Sequence, residues 1–336
     1  MSDQTNGRPF AANSSLSIRE ACLQASSFLT EQGVEEARSN AELLLMHILG
    51  LTRSAMLSEW HEPFPAERAD EWELAVRRKG EGEPVQYIIG EEWFYGRPFT
   101  VTPAVLIPRP ETELLVEAVL EAADRLWPAG GEGVPSVVDV GTGSGAIAVT
   151  LSAERPRWRV NASDLSEDAL AVARSNAALH EAADRVSFRQ GDLLEPFLPV
   201  AEAQPAEAAA SASKQGAEQL SRRQTESSVD VLVSNPPYIP ADDLPGLQRE
   251  VRDYEPHLAL DGGADGLVPY RRMLEQLPAL PRPPRIVAFE LGIGQAPDIA
   301  AMLERYGAWD EVRIVTDYNG IERHVIAVRT SNGNSV

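Results

Sequence analysis

The chain has a single cysteine, Cys22, in 336 residues, which excludes an internal disulfide and any multi-cysteine metal centre. Positive charge is scarce. The 30 Lys and Arg against 51 Asp and Glu leave a net charge of −21, the wrong sign for a protein that grips nucleic acid by neutralising phosphates over a broad face; no direct nucleic-acid binding is expected. No apolar run approaches the ~20 residues of a membrane span, and the opening MSDQTNGRPF has neither the basic nor the apolar region of a secretory signal. A cytoplasmic location is therefore expected. His47, His61, His180, His257 and His324 are scattered without metal-ligand spacing, so no metal site is expected. What is present is the composition of a globular protein, 43% hydrophobic and 24% charged, with a length about twice the ~150-residue unit of one ordinary domain. Cys22 falls at helical spacing between Ile18 and Ser26 and reads as a core residue.

The N-terminal part reads as a small helical bundle. Ser17 and Glu20 form a capping box, and Ile18, Cys22, Ala25 and Leu29 recur at helical spacing after it, with Gly33 ending the helix. Further helices are expected over 35–49 and 66–79. Residues 86–108 interleave aromatic and branched side chains with Gly90, Gly96 and Pro98, the composition of a hairpin or twisted ribbon. After a helix over 113–126, β-like runs at 136–140, 160–163, 186–189, 229–234, 285–290, 312–316 and 325–329 alternate with helical stretches. That alternation predicts an α/β fold, a parallel sheet covered by helices, with the last two runs forming a hairpin at its end. The expected organisation is a disordered start over 1–16, a helical domain over 17–84, a linking β-hairpin over 85–108, a catalytic domain over 109–330 and a disordered tail over 331–336. Within the catalytic domain, 200–228 has Leu220 as its only large apolar side chain and reads as a disordered insertion.

Two motifs carry chemistry. In VVDVGTGSG, a buried strand runs into the glycine-rich turn Gly141, Thr142, Gly143, Ser144, Gly145, where backbone can approach a ligand closely ahead of a helix N-terminus. The next strand ends in Asp164, placed to accept from both hydroxyls of a ribose, and Asp192 in GDLLEP follows the third strand, where it or its neighbouring backbone can meet an adenine edge. An adenosine-containing cofactor is implied, and no Walker lysine accompanies the turn. The second motif, VLVSNPPY, delivers Asn235, Pro236, Pro237 and Tyr238 to the carboxyl edge of the sheet. Prolines have no N–H, so this turn offers acceptors, the Asn235 side-chain oxygen and the Pro236 carbonyl, on a stiff frame, with Tyr238 as a flat stacking face. Two acceptors want an NH₂ group on a planar amide or aminated base. The nitrogen of such a group is a poor nucleophile; holding both N–H bonds aims its lone pair and stabilises the charge that develops on it. That chemistry pairs with S-adenosylmethionine as the methyl donor.

These residues, together with Gln86-Tyr87-Ile88, Phe94-Tyr95-Gly96, IPRPETE over 107–113, Glu255-Pro256, Ala259-Leu260, Gly262-Gly263 and DYNGIERH over 317–324, resemble the HemK/PrmC family of peptide chain release factor glutamine methyltransferases. The resemblance spans about residues 17–329. It implies a seven-stranded Rossmann-like class I methyltransferase domain preceded by a helical substrate-docking domain and a β-hairpin. By the same resemblance Gly141, Thr142, Gly143, Ser144, Gly145, Asp164, Asp192, Leu193 and Asn235 would bind S-adenosylmethionine. Asn235, Pro236, Pro237 and Tyr238 would hold the glutamine amide of the GGQ loop of class 1 release factors, with methylation on N(5). Arg109, Glu111 and Glu113 would either border the pocket or fix the hairpin, and Glu290 would either touch the substrate channel or cap a neighbour. A monomer is expected. The alternatives are a glutamine methyltransferase of a large-subunit ribosomal protein, an N(6)-adenine methyltransferase acting on a flipped base, and a catalytically silent binding module.

Overall fold

The structure, a computed structural model, describes residues 16–128, 131, 133–199, 229–307 and 309–330. The expected insertion over 200–228, the start over 1–15 and the tail over 331–336 lie outside the described residues. The chain divides into two compact units. The first comprises residues up to Glu91 together with Leu247–Tyr254, and the second comprises Glu92–Gly246 and everything from Glu255 onward.

The first unit is helical: α1 (Ile18–Glu31), α2 (Ala37–Leu49), α3 (Arg53–Ser58), α4 (Ala69–Gly80) and α5 (Val85–Ile89). The capping box forms as the sequence predicts, with the Ser17 hydroxyl accepting from Glu20 N and the Glu20 carboxylate from Ser17 N. Cys22, Leu29, Leu44, Leu45, Trp72 and Val76 are buried in one core. Residues 85–89 are helical where the sequence suggested the start of a ribbon. Branched and aromatic side chains favour strands only when a pleated surface is there to receive them, whereas here Val85 packs into the helical core. The helix starts after Pro84 and is closed by Gly90 in the left-handed region. A later helix of the chain, α9 (Arg249–Tyr254), also belongs to this unit.

The hairpin proper is β1 (Glu91–Phe94) and β2 (Arg97–Thr100). Tyr95 and Gly96 both have positive φ, 52° and 71°, as a two-residue turn matched to strand twist requires. The second unit then follows the alternating pattern: α6 (Pro110–Leu126), β3 (Ser136–Val140), α7 (Ala146–Glu154), β4 (Arg159–Asp164), α8 (Glu167–Leu179), β5 (Val186–Gln190), β6 (Val231–Ser234), α10 (Val268–Gln276), β7 (Ile286–Glu290), α11 (Ala296–Tyr306), β8 (Glu311–Thr316) and β9 (Glu322–Val328). Helix α6 starts at Pro110, three residues earlier than its apolar pattern indicates, because proline at the first helical position loses no hydrogen bond. The seven strands are ordered β5-β4-β3-β6-β7-β9-β8. The first five are parallel, and β9 runs antiparallel to both β7 and β8. Strand order reverses at β3, so the crevice at the carboxyl ends of β3 and β6 is where this architecture receives a ligand.

Candidate active site

The glycine-rich turn is built around a buried acid. Asp139, within β3, accepts from Thr142 Oγ1 at 2.7 Å and from Ala148 N at 3.2 Å, tying both ends of the turn to the strand. Burial pushes its carboxyl up to about 7, against the pull of those two bonds. Gly143 has φ 56°, and a Cβ there would meet nothing within 4 Å, so the turn leaves a side-chain-sized space open for a ligand. Gly143 N donates to Asp164 Oδ2 at 2.9 Å, and Ser166 N to Oδ1 at the same distance. Burial raises the Asp164 carboxyl, and the Ser166 and Gly143 amides pull it back. The two bonds fix the carboxylate while leaving acceptor sites for a pair of hydroxyls.

A cavity of about 590 Å³ opens in front of this turn. Gly141, Thr142, Gly143, Ser144, Asp164, Asp192, Leu193, Asn235 and Pro237 are in its wall, with Arg109 and apolar Ile147, Leu165 and Val268. Its size and mixed lining suit a nucleoside-sized ligand. Gly145, Pro236, Tyr238, Glu111, Glu113 and Glu290 are not in that wall. Gly145 has a packing role: a Cβ there would lie 3.1 Å from that of Ala173 in α8. Asp192 is paired with Arg272 at 2.6 Å, and Leu193 is held in the left-handed region at φ 54°, its carbonyl accepting from Ser163 Oγ.

Asn235 follows β6 directly. Its Nδ2 donates to Thr112 Oγ1, 3.3 Å away in the first turn of α6, which leaves Oδ1 as the acceptor end. Behind the turn, Gly262 N donates to Ile239 O at 2.9 Å and Ile239 N to Leu260 O at 3.0 Å. A Cβ on Gly262 would sit 2.9 Å from Pro237 O, so the Gly262-Gly263 segment backs the Asn-Pro-Pro-Tyr turn at a distance only glycine permits. Gln295 Nε2 donates to Tyr238 O at 2.9 Å. Burial, then the nearby Glu290 carboxylate, pushes the Tyr238 hydroxyl up to about 12, so the ring stays neutral.

The IPRPETE block divides its work. Arg109, in the cavity wall, is paired with the buried Glu255. Glu113 Oε1 accepts from Tyr95 N at 2.7 Å and so clasps the hairpin turn. Thr112 and Asp139 were not singled out by sequence reasoning. An acid inside an otherwise apolar strand was a signal for Asp139; for Thr112 there was only its place in the block.

A glycine-rich turn that opens onto a cavity, an acid on the next strand and an acceptor turn at the neighbouring strand end together define an S-adenosylmethionine-dependent methyltransferase of the Rossmann-like class I fold. A family model for a methyltransferase domain matches residues 137–214, and one for the PrmC N-terminal domain matches residues 20–90. The release factor glutamine methyltransferase of Bacillus anthracis is 40% identical over 310 residues, 92% of this chain and 98% of that protein. That of Bacillus subtilis (strain 168) is 40% identical over 315 residues, 94% of this chain and 99% of that protein. A solved structure, the hMettl16 catalytic domain in complex with a MAT2A 3′UTR hairpin, aligns at a TM-score of 0.48 and 13% identity over 81% of this chain and 85% of that one. This chain belongs to the release factor glutamine methyltransferase family.

Proposed function

We propose that this chain methylates the side-chain amide N(5) of the glutamine in the GGQ loop of class 1 release factors, and so tunes translation termination. The observation that carries the reading is the orientation of Asn235, whose donor end is taken by Thr112 so that its acceptor end is left for a substrate NH₂. S-adenosylmethionine supplies an activated methyl group on a sulfonium. Gly141, Gly143, Ser144 and Asp164 would hold its nucleoside and amino-acid parts in the cavity, with Asp192 and Leu193 beside the base. Asn235 Oδ1 and the Pro236 carbonyl would each accept one amide N–H, which aims the nitrogen lone pair at the methyl carbon and meets the positive charge as it grows. Pro237 stiffens the turn, and the neutral Tyr238 ring offers a face to the planar amide. Alignment of this kind contributes part of the ~7–11 kcal/mol that holding two reactants in place can supply.

A lone glutamine provides too few contacts for specificity, so the helical unit serves as the docking surface for the release factor. The enzyme acts as a cytoplasmic monomer in this reading. The test is transfer of labelled methyl from S-adenosylmethionine to a purified class 1 release factor, beside its variant with alanine in place of the GGQ glutamine, a ribosomal protein fraction and duplex DNA. Label in the unaltered factor alone is the expected result; label only in ribosomal protein or DNA would leave the acceptor chemistry standing and remove the assigned substrate.

A further inference from the structure

Methylating an amide nitrogen releases a proton, and neither acceptor assigned to the amide can keep it, because carboxamide and peptide oxygens are very weak bases. A group able to take a proton should therefore stand beside Asn235, and the strand register identifies one. Ser234 at the end of β6 pairs with Phe289 of β7. Asn235 and Glu290 are the next residues along these two parallel strands, one step past their last paired residues at the carboxyl edge. Glu290 in turn pairs with His324 of β9. Side chains alternate along a strand, and Val233, Ala288 and Ile326, one alternation back from these three, belong to a single core cluster shared with α6. Asn235, Glu290 and His324 thus continue one row at the carboxyl edge, on the face where Thr112 of α6 meets Asn235.

As mere structure this row is expensive. Glu290 is 3% exposed and His324 0%, with Oε2 and Nε2 3.7 Å apart. Among the described residues, Glu290 Oε2 and both ring nitrogens of His324 are buried without a hydrogen-bond partner, an arrangement that apolar residues would replace at a gain in stability. The other charged and titratable groups at this corner are Tyr238, Tyr270, Glu111, Arg109 and Arg323. The two arginines are already paired, with Glu255 and Asp317 respectively.

We propose that Glu290 accepts the proton that the substrate amide nitrogen loses during methyl transfer, and that His324 positions the Glu290 carboxylate for it. This rests on the reading that Asn235 and Pro236 hold the amide. In the step, the nitrogen lone pair forms the bond to the methyl carbon and the electron pair of the broken carbon–sulfur bond remains on sulfur. As the nitrogen becomes tetrahedral, one N–H leaves its carbonyl acceptor and turns to Glu290; its electron pair returns to nitrogen as the proton passes to a Glu290 oxygen. The carboxylate also faces the positive charge that grows on nitrogen before the proton leaves.

The test is Glu290→Gln in the full-length enzyme with a class 1 release factor as substrate. Cofactor affinity and KM should stay within about twofold of wild type while kcat falls about a hundredfold, the low end for loss of a positioned base. The acid limb of the wild-type kcat–pH profile should disappear in this variant. His324→Gln should keep the acid limb but displace it. Wild-type kcat and pH profile in Glu290→Gln would overturn the proposal. If that variant does not fold, judged by lost cofactor binding, an undisplaced acid limb in His324→Gln overturns it instead. Asn235→Ala separates the two readings. If it keeps wild-type kcat, the amide seat falls and this proposal with it; if it is inactive while Glu290→Gln is unimpaired, only the proton acceptor is wrong.

Discussion

A carboxamide has an acceptor at one end and a donor at the other, so the chemistry assigned to Asn235 depends on which end is tied down. Thr112 ties the donor end at 3.3 Å. Thr112→Val keeps the shape and removes the acceptor, leaving the amide free to turn over. A net hydrogen bond of about 1 kcal/mol translates into a kcat lower by roughly five- to tenfold, with cofactor affinity unchanged. Thr112→Ser should recover most of the rate; equal losses in the two variants would assign the effect to packing. Asp139 acts on the cofactor side. Its folded-state value of about 7 lies above the ~3.9 of an unfolded aspartate, so the native state binds the proton more tightly. The resulting contribution to stability is complete below about pH 4 and is lost as pH rises through about 7. Asp139→Asn keeps an acceptor for Thr142 and Ala148 and removes the titration. Urea unfolding between about pH 5 and pH 8 should therefore show stability falling more steeply with pH in the wild type than in the variant. Parallel curves would reject the assignment.

At the scale of elements, the hairpin and α6 are joined by one charge-assisted bond, Tyr95 N to Glu113 Oε1 at 2.7 Å. Glu113→Ala should cost about 1–2 kcal/mol in unfolding experiments and leave cofactor affinity unaltered; a loss of cofactor binding on the folded variant would instead put Glu113 in the site. How far such elements are legible in a sequence depends on where their reasons lie. Strands β3, β6 and β7 could be read directly, because strands buried on both faces are near-continuous apolar runs. The capping box at Ser17 and the glycine turn after β3 were equally local. Helix α5 was not, since its composition favours a strand and only burial in the helical core overrides it. The stretch between β6 and β7 yielded no elements in advance, yet it holds α9, α10 and several short 3-10 turns, whose residues are fixed by what they back or pair with. The same division applies to the site. Asn235 and Asp164 follow from motif and strand end, whereas the partnerships of Asn235 with Thr112 and of Arg109 with Glu255 join residues more than a hundred positions apart.

The whole molecule is interleaved rather than sequential. Leu247–Tyr254 leaves the methyltransferase portion of the chain, joins the helical unit and returns at Glu255. Its attachments there are specific: Lys79 Nζ to Glu250 Oε1 at 2.5 Å, Tyr254 OH to Glu81 O at 3.1 Å, and the Arg249 side chain laid over Gly82, where a Cβ would approach it to 2.9 Å. Cutting the chain after the helical unit would therefore strip α9 of its partners, and a docking role for that unit is better tested by substitution than by deletion. The ion pair is unequal, and the inequality makes a prediction. The Lys79 side chain is 1% exposed, whereas that of Glu250 is 37% exposed. Removing Lys79 leaves a carboxylate that water can still reach; removing Glu250 leaves an ammonium buried without its counter-charge. Glu250→Ala should thus cost more than Lys79→Met. The cost of breaking a fully buried pair, about 3–5 kcal/mol, is here reduced by the exposure of Glu250 to about 2 kcal/mol, against under about 1 kcal/mol for Lys79→Met. Urea unfolding of the two single variants measures both, and the double variant should come close to Lys79→Met alone, since the penalty in Glu250→Ala comes from the stranded ammonium. The reverse order, or a double variant as unstable as Glu250→Ala, would mean that α9 is held by its apolar and backbone contacts instead.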